Sequence, residues 1–170
     1  MGYERNPISI QGGYFQHIQD DYDVIVNDDG SGESADLVAL KIRDDSILLT
    51  LVHCKFSLED VPGARLKDLY EVCGQAQRSI RWKHLNLNYL YKHIKHRQER
   101  WRRRGYSRFL KGDIEDLAVI RDRARTTALN FHVVIVQPGL SVERVTSEGL
   151  KLLGGTALWL YILRKLRWLI

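Results

Sequence analysis

Two apolar segments separated by a short polar turn constrain the fold of this chain more than any other feature. SADLVALKI (residues 34–42) and ILLTLVHCKFS (residues 47–57) lie on either side of the turn sequence RDDS. Such short apolar runs are typical of β-strands that are buried on both faces. An ionisable group in such a strand is costly unless it is paired or has a function. Asp36, His53 and Lys55 are therefore the first candidates for functional residues.

The turn also predicts how the two strands pair. If Asp44 and Asp45 form a two-residue turn, Asp36 lies directly opposite His53 in an antiparallel hairpin. A pairing shifted by two residues would place Asp36 opposite Lys55 instead. Side chains alternate along a strand, so His53 and Lys55 share one face, and Asp36 lies on that face in either register. We therefore expect these three ionisable groups to converge at one end of the hairpin.

The pattern elsewhere predicts an α/β domain. A first strand, DYDVIVND, precedes the hairpin, and a late apolar strand, NFHVVIVQPG, returns to the sheet. Helical periodicity predicts helices at about 62–82, 85–104 and 113–128, followed by two short helices at about 141–153 and 156–168. The predicted fold is a mixed central sheet, an antiparallel meander of three strands plus one returning strand, flanked by helices.

Composition predicts one globular domain. The 170 residues are 44% hydrophobic and 28% charged, which is ordinary for a folded protein. We expect a single domain over 1–170, with a core at about 20–140 and a helical extension at 141–170. The lone methionine, Met1, and the apolar C-terminal residues also fit a piece of a longer protein.

The predicted compartment is the cytoplasm. The N-terminus lacks the apolar segment of a secretory signal. The run ALWLYIL is much shorter than the ~20 residues that span a bilayer, so we expect no membrane association. Cys54 and Cys73 lie within apolar patterns, which favours buried free thiols over a disulfide. Cys54 should belong to the core, because alternation turns it away from His53.

A basic segment near the middle of the chain predicts a polyanionic partner. Between Lys92 and Arg108 there are eight Lys or Arg residues and a single acid, Glu99. Charge runs often form solvated helix faces, but here aromatic residues are interspersed with charges of nearly uniform sign. This combination suits phosphate contacts and base stacking, and we expect DNA rather than RNA. The candidate nucleic-acid-binding residues are Lys95, Arg97, Arg100, Trp101, Arg102, Arg103, Arg104 and Arg108.

The trio in the hairpin suits phosphodiester hydrolysis, which needs a cation on the phosphate and an activated water. Asp36 can hold Mg²⁺ or Mn²⁺, with the backbone carbonyl of Cys54, water and a second side chain completing the coordination. Lys55 can orient the attacking water and offset phosphate charge. Glu33, in the glycine-rich turn, is either a further ligand or an ordinary turn acid.

Asp36, followed after sixteen residues by His-Cys-Lys at 53–55, resembles the PD-(D/E)xK, or restriction-endonuclease-like, superfamily. The resemblance covers about residues 20–82 and 131–137. It implies a restriction-endonuclease-like core and a nuclease that acts on DNA with Mg²⁺ or Mn²⁺ as cofactor. GSGESADLVALK and PGARLKDLYEVCGQAQRSIRW also resemble nuclease-type domains at the ends of bacterial helicase-like proteins. That likeness implies other domains of such a protein as partners.

His53 occupies the position where this superfamily usually has an acid, and three interpretations follow. His53 can itself be a ligand or a base, since imidazole suits Mn²⁺ better than Mg²⁺. Alternatively, Glu71 on the following helix supplies the missing carboxylate. In the third interpretation the site is degenerate and binds nucleic acid without cutting it. Gln75 can face the same pocket as Glu71, four residues earlier, and is similar to a glutamine that some members have there.

Each candidate also has a purely structural interpretation. Asp36 can cap the turn before it, Lys55 can be an edge lysine, and Glu71 can pair with Lys67 or Arg78 on the helix surface. At the level of function, the alternative to a nuclease is a catalytically degenerate nucleic-acid-binding module of a helicase-like or defence protein. A further alternative is a protein-interaction domain that uses the apolar C-terminal helix.

Overall fold

The computed structural model describes residues 8–56 and 61–165, which form a five-stranded mixed sheet flanked by helices. The strands lie in the order β4-β1-β2-β3-β5, and all neighbours are antiparallel except β3 and β5. The α/β class and the three-strand meander with a returning strand are therefore confirmed. The elements are α1 (Ile10–Ile18), β1 (Val24–Asn27), β2 (Leu37–Ile42), β3 (Ser46–Cys54), α2 (Leu66–Arg78), α3 (Ile80–His84), α4 (Leu87–Arg102), β4 (Phe109–Lys111), α5 (Ile114–Arg123), β5 (Ala128–Val136) and α6 (Ser147–Lys165).

The hairpin of β2 and β3 lies at the centre of the sheet. Leu37 pairs with Val52, and the register continues without a bulge towards the turn at Asp44 and Asp45. This is the register predicted from a two-residue turn, and it places Asp36, just before β2, opposite His53. Every residue of β3 except its last is buried, as its apolar sequence predicts.

The two faces of the sheet are covered by different helices. Leu49 and Leu51 of β3 belong to a large core that α3, α4 and α5 close. His53 is two residues further along and faces the same side. On the other face, Ile25 and Ala39 pack against α1, a helix that the sequence did not predict. Helix α2 packs against β3 and β5, so it lies beside the end of the hairpin that carries His53.

The fourth and fifth strands flank the meander. β4 is only three residues long and pairs with β1 through a register shift. It was not predicted, because it directly follows the basic segment and is too short to show alternation. β5 runs parallel to β3 over its whole length, from Ala128 beside Ser46 to Val136 beside Cys54. The connection between these parallel strands contains α2 to α5, as a parallel crossover requires.

Helix boundaries differ from the prediction in three places. The helix expected over 62–82 is divided into α2 and the separate short helix α3, while the helix expected over 85–104 is α4. The helix expected over 113–128 ends at Arg123, because β5 takes over from Ala128. The two short C-terminal helices are one helix, α6, which continues through Gly154 and Gly155. Residues 166–168 of the second of these predicted helices lie outside the described residues.

Helix α6 packs against α2. Gln77 of α2 donates a hydrogen bond to the hydroxyl of Thr156 (3.0 Å), and Tyr70 donates one to Glu148 (2.9 Å). Gly154 and Gly155 in α6 cost about 1 kcal/mol each relative to alanine, and the packing of α6 on α2 offsets this cost. None of the helices within the described ranges is long and apolar enough to cross a bilayer.

Candidate active site

Asp36 and His53 are in contact at the end of the hairpin, as the predicted register requires. Asp36 Oδ2 lies 3.9 Å from His53 Nδ1, and the two residues are only 7% and 2% exposed. The carboxylate is held in place from two sides. The N–H of Cys54 donates to Oδ2 (2.8 Å), and the side-chain amide of Gln11, on α1, donates to Oδ1 (3.0 Å). The sheet and α1 therefore fix the orientation of Asp36.

Ser79 contacts the ring of His53 from the other side. His53 Nε2 lies 2.5 Å from Ser79 Oγ, which also lies 3.2 Å from the carbonyl oxygen of Gln75 and 3.4 Å from that of Ser34. When the hydroxyl donates to a carbonyl, Nε2–H donates to the serine oxygen and Nδ1 carries the lone pair. Nδ1 is buried and has no hydrogen-bond partner in the described part of the chain. Burial lowers the pKa of His53 to about 4, with a contribution from Arg78, so the ring is neutral at physiological pH.

Two further carboxylates complete an acidic cluster around Asp36. Ligand oxygens of Asp29, Glu33 and Asp36 all lie within 4.8 Å of one another. Burial raises the pKa of Asp36 to about 6; the N–H of Cys54 opposes this shift, and the charges of Glu33 and Asp29 add to it. These three carboxylates can hold a divalent cation, and Nδ1 of His53 lies beside one of them, Asp36. Sequence reasoning proposed Glu33 as a ligand but not Asp29.

A buried network anchors the loop between β1 and β2, which carries Asp29 and Glu33. Asp28 accepts hydrogen bonds from the N–H (2.8 Å) and hydroxyl (2.7 Å) of Ser34 and from Nε2 of His93 (2.8 Å). Its other oxygen lies 2.5 Å from Nε of Arg97. Burial raises the pKa of Asp28, but these hydrogen bonds and the positive charges outweigh it, so the pKa lies below its usual value.

Arg97 holds the same loop and is a correction to the predicted nucleic-acid-binding set. Its guanidinium donates to the carbonyls of Asp28 (2.7 Å), Asp29 (3.0 Å) and Ser31 (2.7 Å), and the residue is buried. Arg108 is a second correction, because it is buried and donates to the carbonyl of Asp29 (3.1 Å). Neither guanidinium lies on the surface where a phosphate backbone would bind. Both instead support the loop that carries the carboxylates.

Helix α2 places three polar residues along the polar end of β3. Glu71, Gln75 and Ser79 recur every four residues and so share one face of the helix. Glu71 forms an ion pair with Lys55, and Ser79 contacts His53. The expected pairing of Glu71 with Lys67 or Arg78 is thus replaced by a pairing with the candidate catalytic lysine. The spacing of four predicted Gln75, and the same spacing would have identified Ser79.

Gln75 lies in a cavity that reaches His53. The cavity has a volume of about 520 Å³. The side-chain oxygen of Gln75 is buried in it without a hydrogen-bond partner among the described residues. Gln77, in contrast, binds Thr156 on the other side of the helix. The lining residues are Gly30, Ser31, Gly32, Glu33, Ser34, His53, Gln75, Arg78, Ser79, Arg81 and Trp82.

Cys54 lies between His53 and Lys55 in the chain. Its N–H binds Asp36, so its backbone lies directly against the candidate metal ligand. The side chain is a free thiol that is only half-buried, whereas we expected a core position. Burial raises the pKa of the thiol to about 12, and the charges of Asp36 and Asp29 add to the shift. The thiol is therefore protonated at neutral pH.

The remaining basic residues form a cluster at the end of α4. Trp101 is half-buried, with the guanidinium groups of Arg104 and Arg108 at 5.3 and 4.7 Å from its ring centre and Tyr106 at its edge. The exposed members of the predicted set are Lys95, Arg100, Arg102, Arg103 and Arg104.

Fold and site together define an α/β domain with a buried Asp–His contact, a carboxylate cluster and a Lys–Glu pair at the end of a central hairpin. Comparisons with protein-family models, curated proteins and solved structures found no match for the chain. The function is therefore argued from the geometry of the site.

The raised pKa of Asp36 predicts a pH-dependent gain in stability for Asp36→Asn. Without metal, a folded pKa of about 6, against ~3.9 in the unfolded chain, makes the ionised carboxylate unfavourable above about pH 6. We expect the variant to be more stable than the wild type by about 2 kcal/mol near pH 7.5. The difference should shrink as the pH falls to about 4, where the wild-type carboxyl is protonated. Urea unfolding in EDTA measures it.

The matched control is Asp44→Asn, which removes an exposed carboxylate from the hairpin turn. This control should show no such gain at neutral pH. Added Mn²⁺ should stabilise the wild type and leave Asp36→Asn unchanged. A difference between Asp36→Asn and wild type that stays constant with pH would contradict the assigned environment of Asp36.

Proposed function

We propose that this chain is a metal-dependent nuclease domain that hydrolyses phosphodiester bonds in DNA. The observation that carries the proposal is the buried Nδ1 of His53, which has no hydrogen-bond partner among the described residues and lies 3.9 Å from the carboxylate of Asp36. With the lone pair on Nδ1, the nitrogen and the carboxylate oxygen repel each other, and burial without a compensating partner is costly. A cation bound between them removes this cost. Such an arrangement is typical of ligands that are ordered before the metal binds.

Asp36 and His53 would hold Mg²⁺ or Mn²⁺, with Asp29 and Glu33 as additional oxygen donors. The backbone carbonyl of Cys54 is a further candidate because its peptide lies against Asp36. When bound, such an ion offsets phosphate charge and lowers the pKa of a coordinated water. Of the interpretations of His53, the geometry favours a ligand. Glu71 is already paired with Lys55 and is therefore a poorer source of the missing acid.

Lys55 would position the attacking water and offset the developing negative charge. It lies two residues beyond His53 on the same face of the strand, and its ammonium is paired with Glu71. Glu71 would hold the lysine directed to the site through this ion pair. Gln75, whose side-chain oxygen is buried in the same cavity as His53, would contribute a hydrogen bond to water or substrate.

The exposed arginines at the end of α4 would bind the DNA backbone. They are separate from Arg97 and Arg108, which are occupied by the loop. Trp101, held between two guanidinium groups, keeps Arg104 extended over its ring. The second candidate function, a nucleic-acid-binding module without catalysis, requires the same surface. Cleavage separates the two candidates, because both predict binding.

Metal-dependent cleavage tests the proposed function directly. We expect the chain to cut single-stranded, double-stranded or branched DNA with Mg²⁺ or Mn²⁺, and EDTA to abolish cutting. Lys55→Ala should lower the rate by about a hundredfold or more, the usual loss when a charge-stabilising group is removed. The matched control is Lys67→Ala, an exposed lysine on α2, which should cut like the wild type.

His53→Glu separates the remaining interpretations. If His53 is a ligand, the variant should keep its activity or shift its preference from Mn²⁺ towards Mg²⁺, because a carboxylate is the harder donor. A protein that binds DNA but cuts no substrate, before or after this change, would contradict the nuclease and support the non-catalytic module.

The exposed basic cluster predicts salt-dependent DNA binding. Replacing Arg102, Arg103 and Arg104 together with glutamine should weaken binding and reduce the slope of log affinity against log salt by up to about three. The matched control replaces three arginines near the end of α5 (Arg121, Arg123 and Arg125), which changes the net charge equally. Fluorescence anisotropy over a salt series measures both quantities. Unchanged affinity and slope in the first triple variant would contradict the assigned surface.

A further inference from the structure

The cavity beside the candidate metal ligands has two walls of opposite character. Glu33, which lines the cavity, belongs to the carboxylate cluster, and His53, also in the lining, lies beside Asp36 of that cluster. Arg78, the last residue of α2, and Arg81, in α3, contribute two guanidinium groups on the other wall. They are three residues apart, about one helical turn, so both can reach the same ligand. The cavity therefore has one wall suited to cations and another suited to anions.

The two arginines have no acidic partner. Neither forms an ion pair within residues 8–56 and 61–165, although Glu33 lines the same cavity. Arg81 lies over the ring of Trp82, with 5.1 Å between the guanidinium carbon and the ring centre. This stacking restricts its side chain and leaves its N–H groups available. Two unpaired guanidinium groups at one cavity are a geometry that binds phosphate oxygens well.

Two residues that line the same cavity each carry a buried polar atom without a partner in the described part of the chain. Trp82 is only 7% exposed, and its Nε1, which can only donate, has no hydrogen-bond acceptor among the described residues. The side-chain oxygen of Gln75 likewise lacks a donor there. Buried polar groups without partners are rare in folded proteins and call for a ligand or water. The volume of about 520 Å³ lies within the usual range for small-molecule sites.

We propose that this cavity is a nucleotide-binding subsite in which Arg78, Arg81 and Trp82 Nε1 bind a phosphate group. Gln75 accepts a hydrogen bond from the nucleotide. The position of this nucleotide rests on the proposed nuclease function. In a nuclease, the bound phosphate belongs to the nucleotide next to the bond that is cut. The loop residues Gly30, Ser31 and Gly32 also line the cavity.

Binding of thymidine 5′-monophosphate to the full chain tests the subsite without requiring catalysis. Calorimetry in EDTA at low salt compares this nucleotide with thymidine and with inorganic phosphate. The wild type should bind the nucleotide and fail to bind thymidine. Arg78→Gln combined with Arg81→Gln should weaken nucleotide binding about tenfold or more, since both charge-assisted contacts are lost. Both arginines are exposed on the outer part of the cavity, so the variant should fold normally, which circular dichroism verifies.

The matched control is Arg121→Gln combined with Arg125→Gln, an arginine pair that lines a different cavity and gives the same change in net charge. It should bind the nucleotide like the wild type. Inorganic phosphate that binds and competes with the nucleotide would support recognition through the phosphate. Overturning results are a wild type that does not bind the nucleotide, equal affinity in the two double variants, or equal binding of thymidine.

The test is independent of the proposed function. Loss of nucleotide binding in the Arg78/Arg81 variant supports the subsite even if no DNA is cut. If the chain cuts DNA with metal and the Arg78/Arg81 variant binds the nucleotide like the wild type, the nuclease proposal stands and the subsite proposal is wrong.

Discussion

The contact between Asp36 and His53 is the interaction on which the rest of the site depends. A buried carboxylate and a buried imidazole nitrogen face each other where the central hairpin ends. Ser79 contacts the imidazole from one side, and the N–H of Cys54 orients the carboxylate from the other. The surroundings thus favour neutral histidine and disfavour an isolated negative charge. A cation between the two residues at neutral pH satisfies both, because the histidine stays neutral and the carboxylate is no longer an isolated charge.

A network of hydrogen bonds and ion pairs outside the site stabilises the close approach of the three carboxylates. Arg97 and Arg108 bind carbonyls of the loop between β1 and β2, and Asp28 joins the loop to α4 through His93 and Arg97. These contacts order the loop, so Asp29 and Glu33 stay near Asp36 without a counterion. The large core of α3, α4 and α5 on the sheet thereby also supports the candidate active site.

Local rules predicted the hairpin and its register, because a two-residue turn and strand alternation determine which side chains share a face. The same reasoning, applied to a helix, predicted that Glu71 and Gln75 would reach the site. Long-range contacts were not predictable in this way. Arg97 lies almost seventy residues from the loop that it binds, and in sequence it cannot be distinguished from its exposed basic neighbours. Likewise, the packing of α6 on α2 joins the two short helices that were predicted at 141–153 and 156–168 into one helix.

The most direct test of the central claim is anomalous diffraction from crystals of the full chain soaked with Mn²⁺. The account predicts an anomalous peak within about 2–2.5 Å of both a carboxylate oxygen of Asp36 and Nδ1 of His53. The peak should be absent from crystals of Asp36→Ala. A manganese ion bound elsewhere, or none at the Asp36–His53 contact at saturating concentration, would contradict the account.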